Sequence, residues 1–292
     1  SAEPVTSGKE LANIMRRAFT QLRNGRPQPV VVEVPYDAFD DEVPEPLDYT
    51  PVMTARSAPD PEAVATVANV LIKAERPVIY AGQGVHWANA YRELQEFAEL
   101  LAIPVCTSLP GKSAFDETHP LALGSGGNAH PKTVPHFLQK ADVIFGIGCS
   151  FTESPFAISI PRGKTLIRST IDPGDQNKTL PTQYALIGDA RLTVQALLEA
   201  CHKQLSTRRD ASAVTREIKA VESEWMKECL PRLTSDETPF TPYRVLWDLQ
   251  RTVDVPETTI THDAGSPRHQ LMPFWKTKKP LTYIGWGKTT QL

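Results

Sequence analysis

Cysteine is scarce in this chain of 292 residues, and the four present, Cys106, Cys149, Cys201 and Cys229, stand far apart with no CxxC among them. That spacing argues against a disulfide framework and against a zinc site, and it leaves Cys106 and Cys149 as reduced thiols within or at the ends of strands. An excess of one charge is also missing. Thirty-one Lys and Arg against 34 Asp and Glu give a net charge of −3, so there is no basic field of the kind that holds nucleic acid. No apolar run approaches the ~20 residues needed to span a bilayer, and the N-terminus lacks a charged-then-apolar leader. The expected location is the cytoplasm, with no nucleic-acid and no membrane partner. His86, His130, His136 and His202 have no metal-ligand spacing and read as surface or helix-end residues. Ser150 and Ser154 lack the G-x-S-x-G setting of a hydrolase.

Proline, by contrast, is plentiful at 26 residues, concentrated in stretches that read as connections. Pro35 to Pro59, with Asp40-Asp41-Glu42 and Pro44-Glu45-Pro46, predicts an extended linker, because proline denies a sheet its donor and favours polyproline geometry. From Pro61 onward helix and strand patterns alternate. Helices are expected at Glu62 to Lys73, Asn89 to Leu101, Val134 to Lys140 and Ala190 to Leu198, and strands at Pro77 to Tyr80, Pro104 to Thr107, Val143 to Ile147, Thr165 to Ile171 and Tyr184 to Ile187. Short, continuously apolar strands between amphipathic helices predict an α/β domain with a doubly wound parallel sheet, Rossmann-like, covered on both faces.

The flanks read differently. At the N-terminus a helical stretch, Glu10 to Leu22, leads into the β-branched run Val30-Val31-Val32. At the other end Arg208 to Glu228 predicts a solvated connecting helix with one packed stripe, Val214, Ile218, Val221, Trp225 and Met226. A capped helix follows from Thr241-Pro242 through Thr252. Then come a strand, Thr258 to Thr261, a loop, Asp263-Ala264-Gly265-Ser266, and a strand, Leu281 to Ile284, running into Gly285-Trp286-Gly287. The expected segments are 1–45, the end of one α/β domain with its linker; 56–205, the central domain; 206–239, a connecting helix and linker; and 240–292, the start of another α/β domain. Both flanking domains look incomplete, which predicts that the chain is the middle of a longer protein. Phe274 and Trp275 read as core or subunit-contact residues, and His262 and His269 as lying nearer the expected site without a role of their own.

Order and spacing carry a resemblance. Gly25-Arg26-Pro27-Gln28-Pro29-Val30-Val31-Val32-Glu33-Val34-Pro35 and Arg76-Pro77-Val78-Ile79-Tyr80-Ala81-Gly82-Gln83-Gly84 are followed by Ile171-Asp172-Pro173, Ile187-Gly188-Asp189-Ala190, Asp263-Ala264-Gly265 and Lys278-Lys279-Pro280. Together these resemble the thiamine-diphosphate enzymes of the acetolactate synthase type, which are built as pyrimidine-binding, central and diphosphate-binding domains. The resemblance implies thiamine diphosphate and Mg2+ as cofactors, a 2-keto acid as substrate, decarboxylation or carboligation as the reaction (a lyase or transferase), and a homodimer or homotetramer.

By the same resemblance, Gly265 and Ser266 approach the diphosphate, Gly287 keeps its loop close, Thr290 offers a carbonyl to the aminopyrimidine, and Leu292 supports the bent cofactor. Lys288 and Thr290 stand where the family commonly has glycines. The activating glutamate and the metal motif of the family have no counterpart in this chain, so no catalytic residue and no metal ligand is assigned and the isolated polypeptide is expected to be inactive. Gly82, Gly84 and Asp189 match a nucleotide crevice of the central domain. Ser150 and Ser154, however, stand where the flavin-containing members carry arginines, and Thr170 where they carry an acid, which argues against FAD. Two lost charge-assisted contacts cost about 1.5–3 kcal/mol each. A nucleotide- or coenzyme-A-binding module and a purely structural one are the alternatives. Gly124-Ser125-Gly126-Gly127-Asn128 reads as a flexible turn, with a phosphate cradle as its other reading.

Overall fold

Runs such as Val78–Ala81 and Val143–Ile147, apolar at nearly every position, are stable only where both faces of a sheet are covered. The computed structural model, which describes residues 2–285, pairs these two runs side by side in the middle of one sheet. The chain divides into two compact units, Ser1–Ser57 and Ala58–Leu292.

In the first unit, strand β1 (Ala2–Pro4) pairs in parallel with β2 (Val31–Glu33), and helix α1 (Leu11–Arg23) connects them. Ile14 and Ala18, one helical turn apart, are the buried residues of α1. The polar face of the helix is tied locally, as in the bond from Arg16 to Asn13.

In the second unit, α2 (Pro61–Lys73) begins on an Asp60 cap with Pro61 in its first turn. There follow β3 (Val78–Ala81), α3 (Gly84–Ala88), α4 (Tyr91–Leu101), β4 (Val105–Ser108), β5 (Ala122–Gly126), α5 (Thr133–Lys140), β6 (Val143–Ile147), β7 (Thr165–Thr170), β8 (Tyr184–Ile187) and α6 (Ala190–His202). The six strands form one parallel sheet in the order β5-β4-β3-β6-β7-β8. The direction of strand addition reverses between β3 and β6, and at such a switch point the loops leaving the strands diverge to form a crevice. Strand residues alternate between two cores. Ile79, Phe145 and Ile167 meet Leu71, Phe97 and Leu197 of α2, α4 and α6; on the opposite face Tyr80, Ile144 and Leu166 share a core with Phe137 and Leu138 of α5.

Two local expectations need correction. Gly124-Ser125-Gly126 is neither a turn nor a cradle but the body of edge strand β5, paired to β4 with a register shift at Val105/Cys106. Its glycines make room for what packs on it: a Cβ at Gly124 would lie 2.7 Å from Pro131, and one at Gly126 2.7 Å from Ile158. The helix expected at Asn89 to Leu101 starts two residues later, as α4 at Tyr91, because Asn89 takes the left-handed conformation (φ 52°) that ends a separate short helix, α3.

Residues after the sheet pack within the same unit. Helix α7 (Ser212–Leu233) places Ile218 in the second core, while Trp225 stacks on Phe274 at 5.3 Å. Glu217 of α7 accepts hydrogen bonds from Arg76 (2.9 Å), His136 (2.8 Å) and Lys140 (3.2 Å), pinning the helix to the loop before β3 and to α5. Helix α8 (Pro242–Thr252) is capped by Thr241. A second, two-stranded parallel sheet pairs β9 (Ile260–His262) with β10 (Tyr283–Gly285), and α9 (Ser266–Leu271) lies between them in sequence. Trp275, Leu271 and Tyr283 form its core.

Candidate functional site

The parallel pairing of β9 with β10 sets His262 opposite Gly285, so the C-terminal ends of both strands lie at one edge. The chain turns out of β9 through Asp263, whose carboxylate accepts from the Ala264 N–H at 2.7 Å. Gly265 takes a left-handed backbone (φ 78°), and Ser266 opens α9 with a proline behind it. Both Gly265 and Ser266 are exposed. His262 is buried beneath this edge against the ring of Tyr283, centroids 5.1 Å apart. Its Nδ1–H donates to the Asp263 carbonyl at 2.8 Å, and its Nε2 has no hydrogen-bond partner among the described residues. Burial lowers the His262 pKa; the Asp263 carbonyl opposes the shift, while the Arg268 cation adds to it. His262 is therefore a neutral imidazole at neutral pH. A Cβ on Gly285 would lie 2.8 Å from its Nε2, so glycine at 285 lets the backbone close over the ring. Nearby, the buried Arg268 places its guanidinium 5.0 Å from the Phe156 ring, and His269 bonds to Asn128 at 3.3 Å. The structure thus places Gly265 and Ser266 in the turn out of β9 and Gly285 at the end of its partner strand β10, while Gly287, Thr290 and Leu292 lie outside the described residues.

The crevice between β3 and β6 is built from Gly82, Gly84 and Gly148. The N–H groups of Gly82 and Gly84 donate to the carbonyls of Ile147 (2.8 Å) and Gly148 (2.9 Å). The two loops therefore bond to each other through the groups that would otherwise face a phosphate. Cys149, just beyond, is buried, and burial pushes its thiol up to about 12. Asp189 caps α6, its carboxylate accepting from the N–H groups of Arg191 (3.0 Å) and Leu192 (3.1 Å). Of the serines standing in place of arginines, Ser150 bonds to Thr152 at 2.6 Å and Ser154 accepts from the Phe156 N–H at 3.3 Å.

Two charged clusters escaped the reading of the sequence. Arg168 is fully buried in β7 and donates to the carbonyls of Cys149, Ser150 and Asp175. A cation inside the otherwise uncharged run Thr165-Leu166-Ile167-Arg168-Ser169-Thr170 was the available signal. Lys112 and Glu117 form a buried pair at 2.6 Å, and nothing in their spacing announces it. Among the described residues no group of three or more His, Cys, Asp or Glu is arranged to hold a metal ion.

Residues 64–197 match the family described as "Thiamine pyrophosphate enzyme, central domain", the stretch that carries all six strands of the central sheet. These residues belong to that family of domains. The likeness continues over most of the chain. It is 31% identical over 300 residues to a probable acetolactate synthase large subunit of Methanocaldococcus jannaschii, covering 96% of this chain and 48% of that protein. It is 28% identical over 250 residues to a glyoxylate carboligase of Escherichia coli O157:H7, covering 82% of this chain and 40% of that one. The fold is shared with benzoylformate decarboxylase from Polynucleobacter necessarius at a TM-score of 0.74 and 20% identity, over 97% of this chain and 50% of that structure. The chain thus spans about half the length of the curated relatives it matches. The β9–β10 edge leaves room on one side and is closely packed on the other. The space around Gly265 is open, with nothing within 4 Å of a Cβ built there, and the backbone of Gly285 lies close over the buried His262.

Proposed function

We propose that the protein is a thiamine-diphosphate-dependent enzyme acting on 2-keto acids, by decarboxylation, carboligation or both. The observation that carries this reading is that the likeness to an acetolactate synthase extends over 96% of the chain, well beyond the central-domain stretch 64–197.

When bound, thiamine diphosphate supplies a nucleophilic thiazolium carbon and a sink for the electrons released by decarboxylation. The part played by this chain is to position and to shield. Gly265 and Ser266 would hold the diphosphate side, where Mg2+ offsets the charge. Gly287, Thr290 and Leu292 are assigned by resemblance to the same cofactor, Thr290 through its carbonyl and Leu292 as apolar support. His262, neutral and buried, sets how closely β9 and β10 approach at that edge. No residue of the chain is assigned proton transfer or metal ligation.

The reading leaves FAD out of the crevice. The N–H groups of Gly82 and Gly84 are taken by Ile147 and Gly148, Asp189 is taken up in capping α6, and serines stand at 150 and 154. These residues support a structural role for the crevice over a nucleotide-binding one. Exposed Val245, Leu249, Leu281 and Ile284 favour a homodimer or homotetramer. A cytoplasmic location agrees with the absence, among the described residues, of any helix long and apolar enough to cross a membrane.

The test is carbon dioxide release by the complete gene product from a panel of 2-keto acids that includes glyoxylate and benzoylformate. Release that requires both thiamine diphosphate and Mg2+ is the expected result. A folded product that releases none with any member of the panel would overturn the proposal.

A further inference from the structure

Residues 276–282 lead into β10, and they are fastened to the central domain by a buried polar cluster that the reaction chemistry does not call for. Glu117 lies in the loop between β4 and β5 and is 8% exposed; Lys112, in the same loop, is 2% exposed. The Glu117 carboxylate accepts from Lys112 Nζ at 2.7 and 2.6 Å, from Ser125 Oγ at 2.9 Å, and from both the N–H and Oγ1 of Thr277 at 2.9 Å. In return the Glu117 N–H donates to the Thr277 carbonyl at 2.9 Å. Four residues later Leu281, held at φ 60°, donates its N–H to Ser113 Oγ at 3.1 Å. At the start of β10 the Tyr283 ring lies 5.1 Å from Lys112 Nζ. The loop is fixed in turn from behind, since His86 Nε2 donates to the Lys112 carbonyl at 3.0 Å.

A buried ion pair is a poor source of stability by itself, because the loss of hydration offsets most of the attraction. What it does supply is geometry: a carboxylate whose acceptors are filled by donors from three segments holds those segments in a single arrangement. Here the segments are the 112–117 loop, edge strand β5 and the approach to β10. Glu117 meets the β10 approach through the Thr277 main chain, so the register of everything between Thr277 and Gly285 is set from the central domain.

We infer that Lys112 and Glu117 are positioning residues for the cofactor-binding edge, with Glu117 as the clamp that fixes β10 against β9. This inference rests on the functional reading above. It gives the central domain, which contributes no assigned catalytic group, a direct part in holding the diphosphate end of the cofactor.

The experiment compares E117Q with the wild-type complete gene product by hydrogen exchange and by titration with thiamine diphosphate in Mg2+. Amides at 277–285 should exchange at least tenfold faster in E117Q while those of α2 and α6 keep their rates, and the cofactor Kd should rise tenfold or more. A merely stabilising pair would raise exchange throughout the sheet instead. Should E117Q fail to fold, T277V carries the test; it removes one donor and keeps the backbone bonds, and threefold effects in the same two readouts are expected. Unchanged exchange at 277–285, or faster exchange with an unchanged Kd, overturns the clamp. If the wild-type product binds no thiamine diphosphate, the functional reading fails, and the exchange rates still decide whether Glu117 fixes β10.

Discussion

Gly84 and Gly148 meet backbone to backbone. The Gly84 N–H donates to the Gly148 carbonyl at 2.9 Å, and a Cβ built on either residue would lie 2.6 Å from the Cα of the other. The loops after β3 and β6 are thereby closed on each other at the switch point of the sheet. Gly148 also has a φ of 58°, which a side chain tolerates poorly. Replacing Gly148 by Ala should cost more than about 2 kcal/mol, since clash and backbone strain act together. Urea denaturation measures this; a loss under about 0.5 kcal/mol, the range of ordinary surface changes, would show that the loops part easily.

The same closure makes a flavin prediction. The purified protein should be colourless and should show no shift in melting temperature with FAD, since a ligand that binds only the folded state must raise the midpoint. A visible absorbance band that persists through gel filtration would mean that the loops open to admit a dinucleotide.

Acid should loosen α7. Burial alone would raise the Glu217 carboxyl, but the donors His136, Arg76 and Lys140 outweigh it and bring the group down from 4.5 to about 2. A depressed carboxylate contributes stability that is complete above its unfolded value near 4.5 and is lost as pH falls through the folded value. The stability gap between wild type and E217Q should therefore be constant from pH 7 to about 5 and narrow progressively toward pH 2. A gap independent of pH would place the contribution of Glu217 in packing instead.

The thiols should be poor nucleophiles. Burial raises Cys106, pushes Cys149 up to about 12 and pushes Cys201 up to about 11, and thiolate is the reactive form. With a thiol reagent at pH 8, Cys229 alone should label within minutes in the native protein, and all four should label in denaturant. Rapid native labelling of Cys149 would show that the β6 end is open to solvent.

Much of this architecture is legible in the chain because burial leaves a period. The strands Val143–Ile147 and Tyr184–Ile187 fall where their apolar runs place them, and Thr241-Pro242 marks the start of α8. Strand β5 was missed because Gly124, Ser125 and Gly126 owe their place to the bulk of Pro131 and Ile158, which no local pattern records. At the site, Gly265 and Ser266 are assigned through their neighbours in sequence. Glu117 was not, because its partner Thr277 lies 160 positions away and only the folded chain brings them together. Arg168 escaped for a related reason: its acceptors are main-chain carbonyls, which any residue can offer.

The most direct test of the central claim is calorimetric titration of the complete gene product with thiamine diphosphate in the presence of Mg2+, repeated on a G265V variant. Valine cannot easily adopt the φ of 78° at this position, so the exposed turn after β9 should lose its shape while the central sheet stays intact. Saturable binding by the wild type, weakened at least tenfold in G265V with unchanged folding of the sheet, is the result expected. Absence of binding by a folded wild-type protein, or equal affinity in the variant, would contradict the assignment of the β9–β10 edge to the cofactor.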